Sequence, residues 1–246
     1  MASILCLETS TEVCSVTLSK DGNVVELRED KSGKNHALLL TRFVEEVMNA
    51  GKLTFNQLNA VAVSGGPGSY TGLRIGVSTA KGLCYAAGLP LIAIPSLEAM
   101  AHYVINSFDT SGIEKKESLL YCPMIDARRM EVYASVYDHQ MRKIRDIQAN
   151  IIDHLSFEVL FQEHKILFFG NGAEKCKSTI THANAIFLDN IGTSASYMAG
   201  LAEKAFLSGS FVDVAYYEPF YLKDFVATIP TKNIFPSKID PNLTVQ

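Results

Sequence analysis

Ile4-Leu5-Cys6-Leu7 is an unbroken apolar run, Val13 to Leu18 alternates apolar with polar, and Val24-Val25-Glu26-Leu27 follows the turn residues Asp21-Gly22-Asn23. A buried strand followed by a hairpin is expected, because successive strand side chains face opposite sides of a sheet. The period then changes. Between His36 and Ala50 the apolar positions are Leu38, Leu39, Leu40, Phe43, Val44, Val47 and Met48, which predicts a helix with a wide apolar face, stopped by Gly51. Leu53 to Leu58 reads as a short helical connector and Val61-Ala62-Val63 as a strand. Thr71 to Ala87 reads as a second helix, closed by Gly88 and Pro90, and Leu91-Ile92-Ala93-Ile94 as another strand. Pro95-Ser96 opens a third helix through Val104, with Ser96 expected as N-cap and Glu98 in the first turn.

Asn106 to Ser118 is polar and marks a boundary. Beyond it the opening order returns. YCPMIDARRMEVYASVYDHQMRKIRDIQ again reads strand, turn with an acidic residue, strand, turn, strand, so that Asp126 takes the place of Glu8. Ile166-Leu167-Phe168-Phe169 is a buried strand leading into Gly170-Asn171-Gly172-Ala173, and Tyr197 to Leu207 is a helix. The expected architecture is α/β, with an N-terminal lobe over 1–107 and a duplicated C-terminal lobe over 108–227. An irregular tail is expected over 228–246, where prolines are frequent and apolar residues few.

Composition narrows the function classes. The 246 residues are 48% hydrophobic, enough for a packed core. A net charge of −4 speaks against a nucleic-acid grip by this chain alone, since Lys and Arg dominate phosphate affinity. The five cysteines form no CxxC and sit in apolar contexts, as small buried hydrophobes in a reducing compartment do. The first apolar run is too short for a signal peptide, and none approaches the ~18 residues of a membrane span. A soluble, cytoplasmic protein is expected. The six histidines lack metal-site spacing, and there is no GxSxG.

SGGPGSYTGLRIG, residues 64 to 76, is the densest run of small residues. It misses the P-loop signature, having no Lys after a suitably spaced Gly, and it misses GxGxxG because Gly72 falls one residue late. Gly72, Gly76 and Ala80 instead recur every four residues on one helix stripe, where they would let another backbone approach closely. Glu8-Thr9-Ser10 in one turn, Asp126 in its counterpart, and Gly170 and Gly172 after a buried strand match the two phosphate hairpins and adenosine loop of a two-lobed nucleotide-binding fold. Ordinary turn chemistry of Ser and Thr is the competing reading. Arg128-Arg129 reads as a solvated turn pair that could touch phosphate or a carboxylate.

ETST after the first strand, NHALLL at the first helix, SGGPGSYTGLRIGVSTAKGL, IPSLEAMA and MIDARRMEVYAS follow one another as in the bacterial tRNA threonylcarbamoyladenosine biosynthesis protein TsaB family. The chain resembles that family from about residue 3 to 136, and more loosely through FFGNGA to EPFYL. The resemblance implies the actin/Hsp70-like ATPase superfamily fold, with two ribonuclease-H-like lobes of mixed sheet flanked by helices. It implies a role in placing threonylcarbamoyl on N6 of adenosine 37 of tRNAs, beside the related transferase TsaD and the P-loop ATPase TsaE. TsaD-like chains carry NHLEAH after the corresponding strand. Here Ser96 and Met100 replace both histidines, so the resemblance implies a catalytically silent paralogue without a metal and without the peptidase chemistry of the old glycoprotease label.

The resemblance also implies a four-helix contact between TsaB and TsaD. The expected interface residues are His36, Leu39, Leu40, Phe43 and Val47 of the first helix and Gly72, Arg74, Gly76, Thr79 and Ala80 of the second. The same faces could pair two copies of this chain when the partner is absent. No cofactor is expected for the chain itself, although ATP or ADP could be held at the partner interface, and tRNA would be met only through the complex. A vestigial nucleotide site at Glu8, Thr9, Ser10, Asp126, Gly170 and Gly172 keeps a stand-alone ATPase or kinase as the alternative.

Overall fold

The computed structural model describes residues 2–33, 35–108 and 118–222. The expected tail over 228–246 and most of the polar boundary segment lie outside them.

Two five-stranded sheets share one topology. The first comprises β1 (Ser3–Glu8), β2 (Cys14–Lys20), β3 (Asn23–Asp30), β4 (Ala60–Ser64) and β5 (Leu91–Ile94), in the order β3-β2-β1-β4-β5. The second comprises β6 (Leu119–Asp126), β7 (Glu131–Tyr137), β8 (Lys143–Ile151), β9 (Lys165–Phe169) and β10 (Ala185–Leu188), in the order β8-β7-β6-β9-β10. In each, the first three strands are antiparallel and the last two join in parallel. The duplication legible in two unlike sequences is therefore a duplication of topology.

The strand period sorts the core into layers. Leu5 and Leu7 of β1 face the outer side, where α1 (His36–Ala50) and α2 (Tyr70–Ala87) cover the sheet. Ile4 and Cys6 face inward, onto Ala99, Met198 and Ala202. Ala99 belongs to α3 (Ser96–Ser107), whose other side buries Leu97, Met100, Ala101 and Val104 against the second sheet. The short α4 (Glu158–Phe161) closes the far side of that sheet.

The sheets divide between Ile94 and Leu119, but the helices cross the division. The chain returns through a 3₁₀ turn at Ala195–Met198 into α5 (Ala199–Leu207), which packs on the first sheet. Tyr103 of α3 and Tyr197 stack with centroids 3.8 Å apart. Since α3 carries apolar residues all round, it serves both lobes at once. A final segment straps the open edge of β5. Val212 bridges to Leu91, Lys81 of α2 donates to the carbonyls of Ala215 and Tyr217 at 2.8 and 3.1 Å, and Phe220 N–H donates to Gly65 O at 2.8 Å.

Two helix starts differ in their chemistry. Ser69 caps α2, its hydroxyl accepting from Gly72 N–H at 3.2 Å. Ser69→Ala is expected to cost about 1 kcal/mol, read as a lower urea midpoint with unchanged slope. Ser96 does not cap α3, a correction to the sequence expectation. It is the first helical residue, Pro95 holds the cap position, and Ser96 N–H donates to Gly66 O at 2.9 Å. Proline has no side-chain acceptor, so the helix begins without a side-chain cap.

Candidate functional site

The β1–β2 turn and the glycine loop form one packed unit. Thr9 N–H donates to Ser64 Oγ at 3.3 Å, Ser10 N–H to Glu8 Oε1 at 2.5 Å, and Thr9 Oγ1 to Gly72 O at 2.8 Å. Ser69 N–H donates to Ser10 O at 2.6 Å. A Cβ on Gly72 would lie 2.1 Å from Thr9 O, one on Gly76 2.3 Å from Thr9 Oγ1, and one on Gly68 2.2 Å from Ser10 O. Side chains cannot exist at such distances, so these glycines are what lets the turn sink against α2. Glu8, Thr9 and Ser10 are all essentially inaccessible to water. The Thr9 and Ser10 amides, which a phosphate would need as donors, already donate within the unit, to Ser64 and Glu8.

Burial pushes the Glu8 carboxyl above its ordinary range, opposed by hydrogen bonds from Ser10, Ser64 and the Thr9 backbone. Between the ordinary carboxylate range and the raised folded value, the native state binds more protons than the unfolded chain. Stability therefore falls as pH rises through that window. Glu8→Gln keeps an acceptor for Ser10 N–H and removes the buried charge. Thermal melts at pH 8 are expected to show the variant a few degrees above the parent, where ~1 kcal/mol corresponds to about 2–4 °C, with the gap closing toward pH 4.

In the second lobe, Gly170 and Gly172 also act by close approach. A Cβ on Gly170, whose φ is +107°, would lie 2.2 Å from Met124 O, and one on Gly172 would lie 2.8 Å from the carbonyl carbon of Ile125. The loop is thus pressed onto the end of β6. Its Asn171 accepts from Asp126 N–H at 3.1 Å and donates to Glu12 at 2.7 Å, joining the two lobes. Thr11 and Thr193 hydroxyls meet at 2.7 Å, and Ser15 Oγ accepts from Ala195 N–H at 2.7 Å. Asp126 is exposed and pairs with Lys175, whereas Glu8 is enclosed by its own turn. Arg128 and Arg129 are exposed at the tip. Sequence position brought the two acidic residues to matching turns, but each is engaged within its own lobe.

The helix surface separates the expected interface residues into two groups. Leu40, Val47, Gly72, Gly76 and Ala80 are buried within the chain, which corrects their assignment to a partner surface. Leu40, Val47 and Ala80 fill the core under the outer sheet face, and the glycines receive Thr9. His36, Leu39, Phe43 and Thr79 are half-buried and Arg74 is exposed. His36 is anchored by a 3.0 Å ring hydrogen bond with Thr11 O. Arg74 lies over the Tyr70 ring, 5.5 Å from its centroid.

Between α1 and α2 runs a surface groove of about 400 Å³, lined by Thr41, Glu45 and Asn49 on one side, Thr79 and Leu83 on the other, and Phe55 at one end. Leu38 stands beside His36 at the start of α1, 70% exposed. Val44 and Met48 also line the groove and belong to the apolar pattern of α1, whereas Thr41, Glu45, Asn49 and Leu83 do not stand out in the sequence. The readable signal was the four-residue spacing of Thr41, Glu45 and Asn49, which places small and polar side chains on one helix stripe beside the apolar one.

A family model described as TsaD, tRNA N6-adenosine threonylcarbamoyltransferase, matches residues 29–231. The Haemophilus influenzae protein named tRNA threonylcarbamoyladenosine biosynthesis protein TsaB is 30% identical over 231 residues, covering 90% of this chain and 93% of its own. This chain belongs to the TsaB family. The Escherichia coli TsaB is 28% identical over 91% of this chain and 96% of its own. The solved structure titled YeaZ from Pseudomonas aeruginosa has 25% identity and a TM-score of 0.75, covering 90% of this chain and 100% of its own. In this TsaB-family chain, Ser96 and Met100 are both buried, and a Cβ on Gly170 would lie 2.7 Å from the Met100 methyl. The two positions that the resemblance equates with the histidines of TsaD-like chains are thus buried in the core. No helix among the described residues is long and apolar enough to cross a membrane.

Proposed function

We propose that this chain is a non-catalytic partner subunit in forming N6-threonylcarbamoyladenosine at position 37 of tRNA, supporting a TsaD-type transferase together with a TsaE-type ATPase. The observation that carries the reading is the outer face of α1 and α2. The helices bury enough apolar residues to be rigid, yet leave an open groove between them and an exposed leucine, Leu38, in the first turn of α1. A rigid, pre-formed face loses little conformational entropy on docking, which favours a stable pair. The packing of Glu8 inside its own turn and the pairing of Asp126 with Lys175 support the non-catalytic part, because both carboxylates are already engaged within the chain. ATP or ADP, if used, would be held with the partner, and tRNA would be met through the complex. Without the transferase, the same face would pair two copies of this chain.

Reconstitution tests this. The purified chain is expected to co-elute with a TsaD-type subunit, and modification of tRNA should require both. Calorimetry with ATP and magnesium on the isolated chain should show no heat of binding. Modification proceeding at full rate without this chain, or a stoichiometric ATP site on it, would overturn the proposal.

A further inference from the structure

The first turn of α2 carries a cation that the chain holds in place and leaves unpaired. Arg28 and Arg42 both pair with Glu46 of α1, and Lys81 of α2 donates to carbonyls of the strap along β5. Arg74 is exposed, and no carboxylate among the described residues pairs with it, Glu218 of the strap included. Its guanidinium instead lies over the Tyr70 ring and donates to the Tyr70 hydroxyl at 3.2 Å. Behind Tyr70 stands Tyr221, the two ring centroids 4.8 Å apart. The strap places Tyr221. Its neighbour Phe220 donates through N–H to Gly65 O at 2.8 Å, and a Cβ on Gly66 would lie 2.7 Å from Phe220 O. Strap, Tyr221, Tyr70 and Arg74 thus form one stack, which reaches from the loop after β4 to the surface of α2.

We propose that Arg74 receives a carboxylate of the transferase subunit, and that Tyr221 of the strap is its positioning residue. This rests on the partner role proposed above and extends that face beyond the groove. Between Arg74 and the groove wall of Thr79 and Leu83, the exposed side of α2 carries only the small residues Ser78, Gly82 and Ala86, so one partner surface can cover both. Stacking on Tyr70 restricts the arginine before association, so less side-chain freedom is lost on docking. One N–H goes to Tyr70, and the rest of the planar fork is left for a carboxylate, which it matches in shape and charge. Arginine and tyrosine together are also the residues on which binding energy concentrates at interfaces. A nucleic-acid phosphate fits less well. Arg74 stands among tyrosine rings and beside no second cation, on a chain of net charge −4, whereas a phosphate backbone is gripped by several cations together.

The test is titration calorimetry of the full chain with a TsaD-type subunit, without tRNA, at about 0.05 and 0.5 M sodium chloride. Arg74→Gln is expected to weaken pairing about tenfold at low salt, with the gap to the parent narrowing at high salt. Arg74→Glu should weaken it by roughly a further tenfold, because it sets two carboxylates against each other. Tyr221→Leu should weaken pairing about threefold, and should add nothing once Arg74 is replaced by glutamine, since it acts through that residue. Tyr221→Phe keeps the ring and should pair like the parent. Arg74 is exposed, so its variants should melt with the parent. Should Tyr221→Leu fail to fold, the Arg74 series decides. Arg74→Gln pairing as tightly as the parent would overturn the proposal. So would a loss equal at both salts, an Arg74→Glu protein no weaker than Arg74→Gln, or additive losses from Arg74 and Tyr221. A loss that appears only with tRNA present would assign Arg74 to phosphate and overturn it as well. A parent chain that does not pair at all would instead bring down the partner role itself, so the two failures are told apart.

Discussion

Gly72→Ala is expected to lower stability by about 2 kcal/mol, and a larger residue such as valine to prevent folding. The cause is not the backbone, since Gly72 lies inside α2 with ordinary helical geometry, and alanine there would by itself favour the helix by up to ~1 kcal/mol. The cost is the contact: the new methyl would lie 2.1 Å from Thr9 O, a backbone atom of a turn that is itself held by Ser69 and Ser64. Neither side can move without breaking buried hydrogen bonds. Gly82 is the internal control. It sits in the same helix, and a Cβ added there would meet nothing within 4 Å, so Gly82→Ala should stabilise by about 0.5–1 kcal/mol. Urea unfolding of the two variants side by side decides the matter. Equal stability of Gly72→Ala and Gly82→Ala would show that the glycine stripe is not there to admit the turn.

The second large effect is on association. The double variant Thr41→Arg/Thr79→Arg is expected to weaken pairing with a TsaD-type subunit by at least about 100-fold, ~2.7 kcal/mol, while its melting temperature stays within a couple of degrees of the parent. Thr41 is exposed and Thr79 half-buried on opposite walls of the groove, so two long charged side chains fill it without entering the core. Leu40→Ala makes the comparison sharp. Leu40 is fully buried, and its loss should cost about 2–5 kcal/mol and reduce pairing only in proportion to unfolding. Size-exclusion of mixtures, with melting curves of each variant alone, separates the two. Undiminished co-elution of the double arginine variant would remove the groove from the interface.

Much of this molecule is legible in its sequence. The change from two-residue to helical period at His36 located α1, and the return of strand, acidic turn, strand after Ser118 announced the second sheet with the topology of the first. The failure of SGGPGSYTGLRIG to match a phosphate signature, with small residues every fourth position, identified a packing device. These are local properties: periodicity, turn chemistry and the absence of a side chain all act within a few residues.

What the glycine stripe packs against could not be read that way. Thr9 lies far from Gly72 in the chain, and only the pairing of β1 with β4 brings the turn onto α2. The same holds for α3, which packs on both sheets, for α5, which returns from the second half of the chain onto the first sheet, for Leu40 and Val47, which the sheet buries instead of a partner, and for Lys175, whose three acceptors lie more than forty residues before it. An apolar or small residue in sequence states only that something must cover it. Which surface does so is settled by long-range strand order, because burial is non-directional and goes to whichever face the assembled sheets bring within reach.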